Sequence, residues 1–564
     1  MTRSGLRARG TRRPRVPPVV LSCTVLLAGC GSQGAGSSVS IAAPAASTLD
    51  LGSGLAAEQT LRRSLDDEPR SLDPLLTNDV EGQRIADDLF EGLTTIDLSG
   101  KVVPGVASSW ETSPDGLVWT FHLRAEARWS NGAAVTAHDF VYAWRREVDP
   151  KTAAAYAQAL EPIAQAAQIA SGQAPLESLG VEALDEHTLR VTLSGPTPYL
   201  LDLLSMQFLY PVYEPAIRQY GDDWVRPQHL VCNGAFVLRE RLLADRIVLE
   251  KSPSYWDAAH VRLQRVTYYI LHDQNDETQR FMADELDWTD SYAANQRAWL
   301  RSTLGDQVVS SPYFGSYFLG MNFQLPPFKD NLPLRKALVL ALDREPMVRS
   351  LRQGLNEPAY TLMPPLPDYK LPIPDWSHLP DAQRHALART LYSQAGYSDR
   401  HPLRVDLEVP SQGADARHFF EAVIANWHSV LGADVQLYER DFTVLAQERA
   451  LHKLPLFFDG WIGDYPDPNT FMQIRYTGNG NNNADYSNRA YDRLIDTAGQ
   501  TVDRARRYAL FQNAEILLNE DAAYIPLYYY ATRHLVKPYL RGWQSNVMNR
   551  NPSRYMYLLE HREH

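Results

Sequence analysis

Cysteine is nearly absent. Cys23, Cys30 and Cys232 are the only three in 564 residues, and no two of them form a C-x-x-C pair. That excludes a zinc knuckle or a dithiol redox motif. Cys232 reads as a small buried hydrophobe rather than a reactive thiol. Catalytic signatures are missing as well. There is no G-x-x-x-x-G-K-[ST] loop for nucleotide hydrolysis, no H-E-x-x-H and no G-x-S-x-G elbow. The 15 histidines are scattered, and His561 and His564 of the terminal EHREH read as a solvated end rather than a metal site. Positive charge is in deficit: the formal charge is −12, and the first 29 residues carry six arginines and no acid, so the remainder stands at −18. Phosphate contacts need concentrated Lys and Arg, so nucleic acid is excluded as a partner. Apolar runs long enough to span a membrane are lacking too, and a mean hydropathy of −0.34 argues against a polytopic membrane protein.

What is present begins with an address. Arg3, Arg7, Arg9, Arg12, Arg13 and Arg15 form a basic region, followed by the apolar stretch from Val19 to Gly29. This is a signal layout, too short for a hydrocarbon core of about 30 Å. Leu27-Ala28-Gly29-Cys30 then resembles a lipobox, in which Cys30 becomes the acylated first residue. A Gly/Ser/Ala-rich tract opening GSQGAGSSVSIAAPAAS follows without periodicity. We read 1–29 as a lipoprotein signal peptide and 30–58 as a flexible tether.

The body alternates short apolar strands with amphipathic helices, and its length sets a prior of roughly two to four domains. Val118 to Leu123 alternates as a half-buried strand. Thr136 followed by Asp139 has the capping-box spacing, and Phe140 and Trp144 then share a helix face. Another helix runs from Ala386 to Ala395 and stops at Gly396, a left-handed cap. Asp503 opens a third, with Leu510, Ala514, Leu517 and Leu518 on one face. No internal repeat is visible.

The most unusual segment runs from Phe457 to Pro468: FFDGWIGDYPDP. An apolar strand runs into Asp464, which follows a glycine and lies among aromatics. Glycine admits close backbone approach, and rings exclude water around the charge, an arrangement that suits an ammonium group. Equally, the acid fits a turn that caps a helix near Asn469 and Thr470. Asp464 and Asp467 also have the composition of a glycosidase pair, although spacing alone carries little weight where acids are this common.

Four stretches resemble the family 5 bacterial solute-binding proteins, oligopeptide-binding branch. They are Ser71-Leu72-Asp73-Pro74 with Asp88-Leu89-Phe90-Glu91-Gly92-Leu93, residues 105–144, residues 335–344 (RKALVLALDR) and residues 528–537 (YYYATRHLVK). The resemblance covers essentially everything after the tether. It implies an α/β fold, a periplasmic-binding-protein type II clamshell of the peptide-binding subclass with an extra domain. Lobe I is expected from 59–90, 217–317 and 531–564, the extra domain II from 91–216, and lobe III from 318–530.

By the same resemblance, Asp464 matches the aspartate that pairs with a peptide's free amino group, and Trp461, Gly460 and Tyr465 match its neighbours. Val80 and Tyr156 resemble positions lining the opposite side of the cleft, and Asn78 stands where relatives have an acid. Phe442 stands at an aromatic side-pocket position. Arg449, Arg352 and the Arg417/His418 segment lie at or near basic positions that meet peptide carboxylates at different lengths. Phe458 departs from the pattern, since relatives place an arginine there, and this leaves the preferred peptide length open.

The implied protein is an extracytoplasmic, lipid-anchored, monomeric receptor of the cell envelope that delivers oligopeptides to the permease subunits of an ABC importer. No cofactor, metal or catalytic residue is implied. The alternatives are a same-fold receptor for dipeptides, haem or metal chelates, a lipoprotein that captures peptides as chaperone or sensor, and, from another class, a cell-envelope hydrolase.

Overall fold

Five sheets organise residues 50–411 and 414–562, which the computed structural model describes within the unit Ser47–His564. The leader, Cys30 and the tether up to residue 49 lie outside the described residues, as does His564.

The largest sheet has six strands in the order Glu357–Pro358, Ile525–Leu535, Val308–Met321, Leu456–Ile462, Arg404–Pro410 and Asp434–Arg440. Helices cover both faces. Leu338, Phe420, Trp427 and Leu445 pack on one side, and Phe471, Tyr491, Phe511 and Leu518 on the other. A sheet covered twice reads as a continuous apolar run rather than an alternating one. Accordingly, Phe314 to Met321 is buried without a break.

A second sheet of four strands has the order Thr60–Leu65, Arg265–Ile270, Arg246–Lys251 and Phe236–Leu242. A third, antiparallel, joins Ala107–Thr112, Val118–Leu123, Thr188–Thr192 and Val181–Asp185. Two long antiparallel strands connect these layers. Val308 and Leu535 pack with Phe281, Tyr292 and Leu300, next to the second sheet, while the other ends of the same strands form the middle of the six-stranded sheet. Their register breaks between Pro312 and Ser316, where the pair passes from one layer to the other. The result is an α/β architecture with two crossing strands.

Local signals account for most of the elements. The helix Ala137–Val148 begins where the Asp139 carboxylate accepts from both the amide (2.8 Å) and hydroxyl (3.0 Å) of Thr136. Its buried Phe140 and Trp144 meet edge-to-face at 6.5 Å. The helix expected from residue 386 begins earlier, as Asp381–Gln394 following Pro380, and Gly396 takes φ +93° just beyond it. Asp503 caps Arg504–Glu520 through the amide of Arg506 (2.8 Å).

Two expectations are corrected. The low-complexity tract suggests a tether reaching residue 58, but Asp50–Leu55 is a strand antiparallel to Tyr557–Arg562. Backbone pairing captures it without any side-chain pattern, and Gln59 locks the junction by donating to the Leu558 carbonyl (2.9 Å) and accepting from its amide (3.0 Å). The chain end is likewise docked rather than solvated, since His561 stacks on Tyr539 at 3.6 Å.

Candidate functional site

The site starts from strand Leu456–Ile462, held against Val308–Met321 from Met321↔Leu456 to Gly315↔Ile462. Gly463 follows, and a Cβ there would stand 2.4 Å from the Phe314 ring, so only glycine lets the chain turn at this point. Asp464 is thereby placed with its carboxylate accepting from the Thr470 hydroxyl (3.1 Å) and hydrogen-bonded to the Tyr156 hydroxyl. The Trp461 indole donates to the same Thr470 oxygen (3.1 Å), which fixes the ring beside the acid. Among the described residues no cation pairs with Asp464. Burial pushes its pKa up to about 6, and the bonds from Thr470 and Tyr156 offset this only in part.

Tyr156 arrives from the segment carrying the third sheet and stacks on Phe208 at 4.7 Å. Beside it, Tyr199 stacks on Tyr465 at 4.9 Å with the rings 4° from parallel, and Arg507 covers Tyr199 at 5.5 Å. The Asp464 loop therefore meets the 91–216 segment through aromatic faces. Asp467, the neighbouring acid, is committed elsewhere: Arg507 donates to both its oxygens, and Asp467 accepts from the Asn469 amide (2.9 Å). The capping role that the sequence left open for Asp464 falls to Asp467, and a glycosidase pair is not formed.

The opposite wall is the start of helix Val80–Leu89. Asn78 is exposed and Val80 half-buried, while Asp79 caps the helix through the Gly82 amide (2.7 Å). Besides the capping Asp79, this wall carries Glu81, three residues past Asn78. Burial and Asp290 push its pKa up to about 7. Arg84 pairs with Asp290. Tyr313, from the register break, sits in the field of Arg84, Asp290, Glu81 and Asp464, and burial pushes its pKa up to about 12. Sequence reasoning named Thr470 only as part of a helix start, and missed Glu81 and Tyr313. Each is brought to the site by strand register or helix phase, and no local pattern marks them.

Away from Asp464 the wall is aromatic. Phe458 is buried against Tyr317 (4.5 Å) and Phe420 (6.2 Å), and Tyr528 stacks on Tyr317 at 4.5 Å. Gly460 leaves room for the Tyr530 hydroxyl, which a Cβ would meet at 3.1 Å. Arg449 is already neutralised, donating to Asp459 (3.0 Å) and to the Phe458 carbonyl (2.9 Å), with Arg475 on the other Asp459 oxygen (3.4 Å). Arg352 has no carboxylate partner among the described residues. It donates to Asn356 (3.0 Å) and lies 5.1 Å over the Tyr528 ring. Arg417 is exposed and paired with Glu421 and Glu439, His418 is exposed, and Phe442 is 49% exposed at the start of its helix. The structure thus gathers Asp464, Trp461, Gly460, Tyr465 and Tyr156, and leaves Arg417, His418 and Phe442 facing outward.

Among the described residues no group of three His, Cys, Asp or Glu has metal-site geometry, and no helix is long and apolar enough to cross a membrane. Cys232 is buried, its thiol pushed up to about 12 by burial, which suits an inert core residue.

Two sheet-bearing layers joined by crossing strands, with an uncompensated acid in an aromatic seam, define a binding protein of the periplasmic type. The chain belongs to the bacterial extracellular solute-binding proteins, family 5, whose model matches residues 101–483. It is 37% identical over 523 residues to the periplasmic oligopeptide-binding protein OppA of Escherichia coli K12, covering 92% of this chain and 95% of that protein. The E. coli murein tripeptide-binding protein MppA has a similar structure, with TM-score 0.82 and 33% identity over 90% of this chain and all of that one. Haemophilus influenzae OppA, solved with the peptide RPPGFSPFR, matches with TM-score 0.80 and 32% identity at the same coverages. Membership makes the chain a solute-binding protein, not an enzyme.

Proposed function

We propose that this protein is an extracytoplasmic oligopeptide receptor, anchored through Cys30 and serving the permease of an ABC importer, that holds its ligand by the free amino terminus. One observation carries the reading: Asp464 is an acid enclosed by Tyr156, Trp461, Thr470 and Tyr465 with hydroxyl donors but, among the described residues, no cation. A buried carboxylate without a counter-charge is costly, and a ligand ammonium removes that cost. Fixing what every peptide shares, while leaving the side chains to roomier space, is how a receptor accepts many sequences.

The sheets support the expected division into 59–90, 217–317 and 531–564, then 91–216, then 318–530. The second and third sheets fall wholly inside the first and second of these, and of the strands only the two crossing ones straddle a boundary, as helix Glu214–Tyr220 does at 216/217. Lobe closure about those strands would bury the ligand and present one shape to the permease.

Native mass spectrometry of the purified protein tests the reading. Co-purified masses of short peptides are expected. A haem or metal-chelate mass, with no binding of any peptide mixture, would overturn it.

A further inference from the structure

Residues 352–355 form a tight turn with an unusual occupant. The Leu355 amide donates to the Arg352 carbonyl (2.8 Å), and both central residues take positive φ, Gln353 at +47° and Gly354 at +66°. That is the pattern of a type I′ turn, whose first central position favours asparagine, aspartate or glycine. A glutamine there is strained, because its longer side chain lacks the local hydrogen bond that makes asparagine tolerable. Strain of this kind persists only where surrounding contacts hold it, and Gln353 has two.

Both contacts reach to another layer. Gln353 Nε2 donates to the Asn295 carbonyl (3.0 Å), and the Gln353 carbonyl accepts from Arg297 Nη1 (3.1 Å). Asn295 leads into helix Arg297–Leu304, whose Leu300 packs with Phe281 and Val308 beside the second sheet. The turn itself belongs to the six-stranded sheet. Helix Arg344–Leu351 before it buries Met347 and Val348 in the cluster on that sheet, and Asn356 after it donates to the Tyr529 carbonyl (2.8 Å). Two hydrogen bonds therefore bridge the layers that the crossing strands join.

The bridge coexists with a shut seam. Tyr199 stacks on Tyr465 at 4.9 Å, and Asp464 is hydrogen-bonded to Tyr156. We infer that Gln353 is a closure latch: its side-chain amide holds the layer carrying the Asp464 loop against the layer of helix Arg297–Leu304, and so slows release of bound peptide. For its ligand, the latch rests on the peptide reading above. Its strength suits a receptor that must also let go. A neutral hydrogen bond has a small net worth, so release is slowed by about two- to tenfold and is not blocked.

Stopped-flow release of tetra-alanine, followed by tryptophan fluorescence, tests this on the whole protein. Gln353→Glu keeps the side-chain length but, ionised at pH 7, has no donor for the Asn295 carbonyl. It should quicken release by about two- to tenfold. Gln353→Gly removes the amide and relieves the turn, so it should quicken release as much while the ligand-free protein melts no lower than wild type. Gln353→Lys offers a donor again and should restore part of the slowing, and Arg297→Gln should quicken release as Gln353→Glu does. Small-angle scattering of the ligand-free proteins needs no peptide. Gln353→Glu and Gln353→Gly should each show a larger mean radius than wild type, because the closed form loses a contact that the open form lacks. Unchanged release from a protein that binds tetra-alanine, or radii equal to wild type, would overturn the inference and leave the bridge a structural brace. Failure of wild type to bind any peptide would instead strike the peptide reading, and the radii alone would then decide the latch.

Discussion

A carboxyl group held near 6 by burial makes a pH-dependent receptor. Asp464 must be ionised to hold an ammonium, so peptide affinity should be full near pH 7 and fall as pH drops through about 6. The fall should approach tenfold per unit below that value, as protons compete for the carboxylate. On the alkaline side the ligand's own amine, with pKa about 7.7–8.0, sets the limit. Calorimetry at pH 5, 7 and 9 checks this, and equal affinity at pH 5 and 7 would exclude Asp464 from the contact. Gly463 has a different task. Gly463→Ala should destabilise the protein by about 1–3 kcal/mol, because the added methyl meets the Phe314 ring at 2.4 Å, and urea denaturation reads the loss. Asp464 was legible in the sequence because glycine, acid and aromatics crowd into one short segment. Glu81 and Tyr313 were not, since their places come from what the fold sets opposite them.

At the scale of elements, the helix beginning at Thr136 was legible to its first residue because its capping acid is local. The start of helix Arg504–Glu520 was legible but not its orientation. The aliphatic stripe of Leu510, Ala514, Leu517 and Leu518 suggests one face, yet the buried residues are Arg507, Tyr508, Phe511, Ala514, Glu515 and Leu518. Hydropathy cannot anticipate that Arg507 is buried with Asp467, or that Glu515 is buried accepting the Met363 amide (2.8 Å). Buried acids of this kind tie stability to pH. Glu147, on helix Ala137–Val148, is fully buried with neither oxygen hydrogen-bonded among the described residues, and burial followed by repulsion from Asp73 pushes its pKa up to about 9. Its folded pKa lies above the unfolded value of about 4.3, so the folded state keeps a proton that the unfolded chain releases. Stability is therefore lost as pH rises from about 4.3 towards 9. Melting temperatures from pH 5 to 8.5 should fall less steeply for Glu147→Gln than for wild type. Parallel slopes would show that Glu147 is not the titrating group.

At the scale of the molecule, the Asp464 loop meets the 91–216 segment through Tyr156 and Tyr199, and ligand binding should tighten that junction. A ligand that binds only the folded state adds about 2.7 kcal/mol of stability at a hundred times its Kd, so saturating peptide should raise the melting temperature. Small-angle scattering should report a smaller radius. No change with any peptide mixture would favour a non-peptide ligand. Cys30→Ser should release the protein from lipid with its fold intact, because residue 30 precedes the first described strand, Asp50–Leu55. Acyl chains found on that variant by mass spectrometry would contradict the anchor. The α/β plan followed from family-like segments spread along the chain, whereas the pairing of Asp50–Leu55 with Tyr557–Arg562 did not, because backbone pairing leaves no mark in composition. The central claim, that Asp464 holds the ligand's amino terminus, is tested most directly by calorimetry on four combinations: wild type and Asp464→Ala, each with a free and an N-acetylated peptide. Breaking a buried ion pair costs about 3–5 kcal/mol, so each single change should lower affinity by roughly two to three and a half decades. The double change should cost far less than their sum, since both remove one contact. Equal affinity of the wild-type protein for free and acetylated peptides would contradict the account.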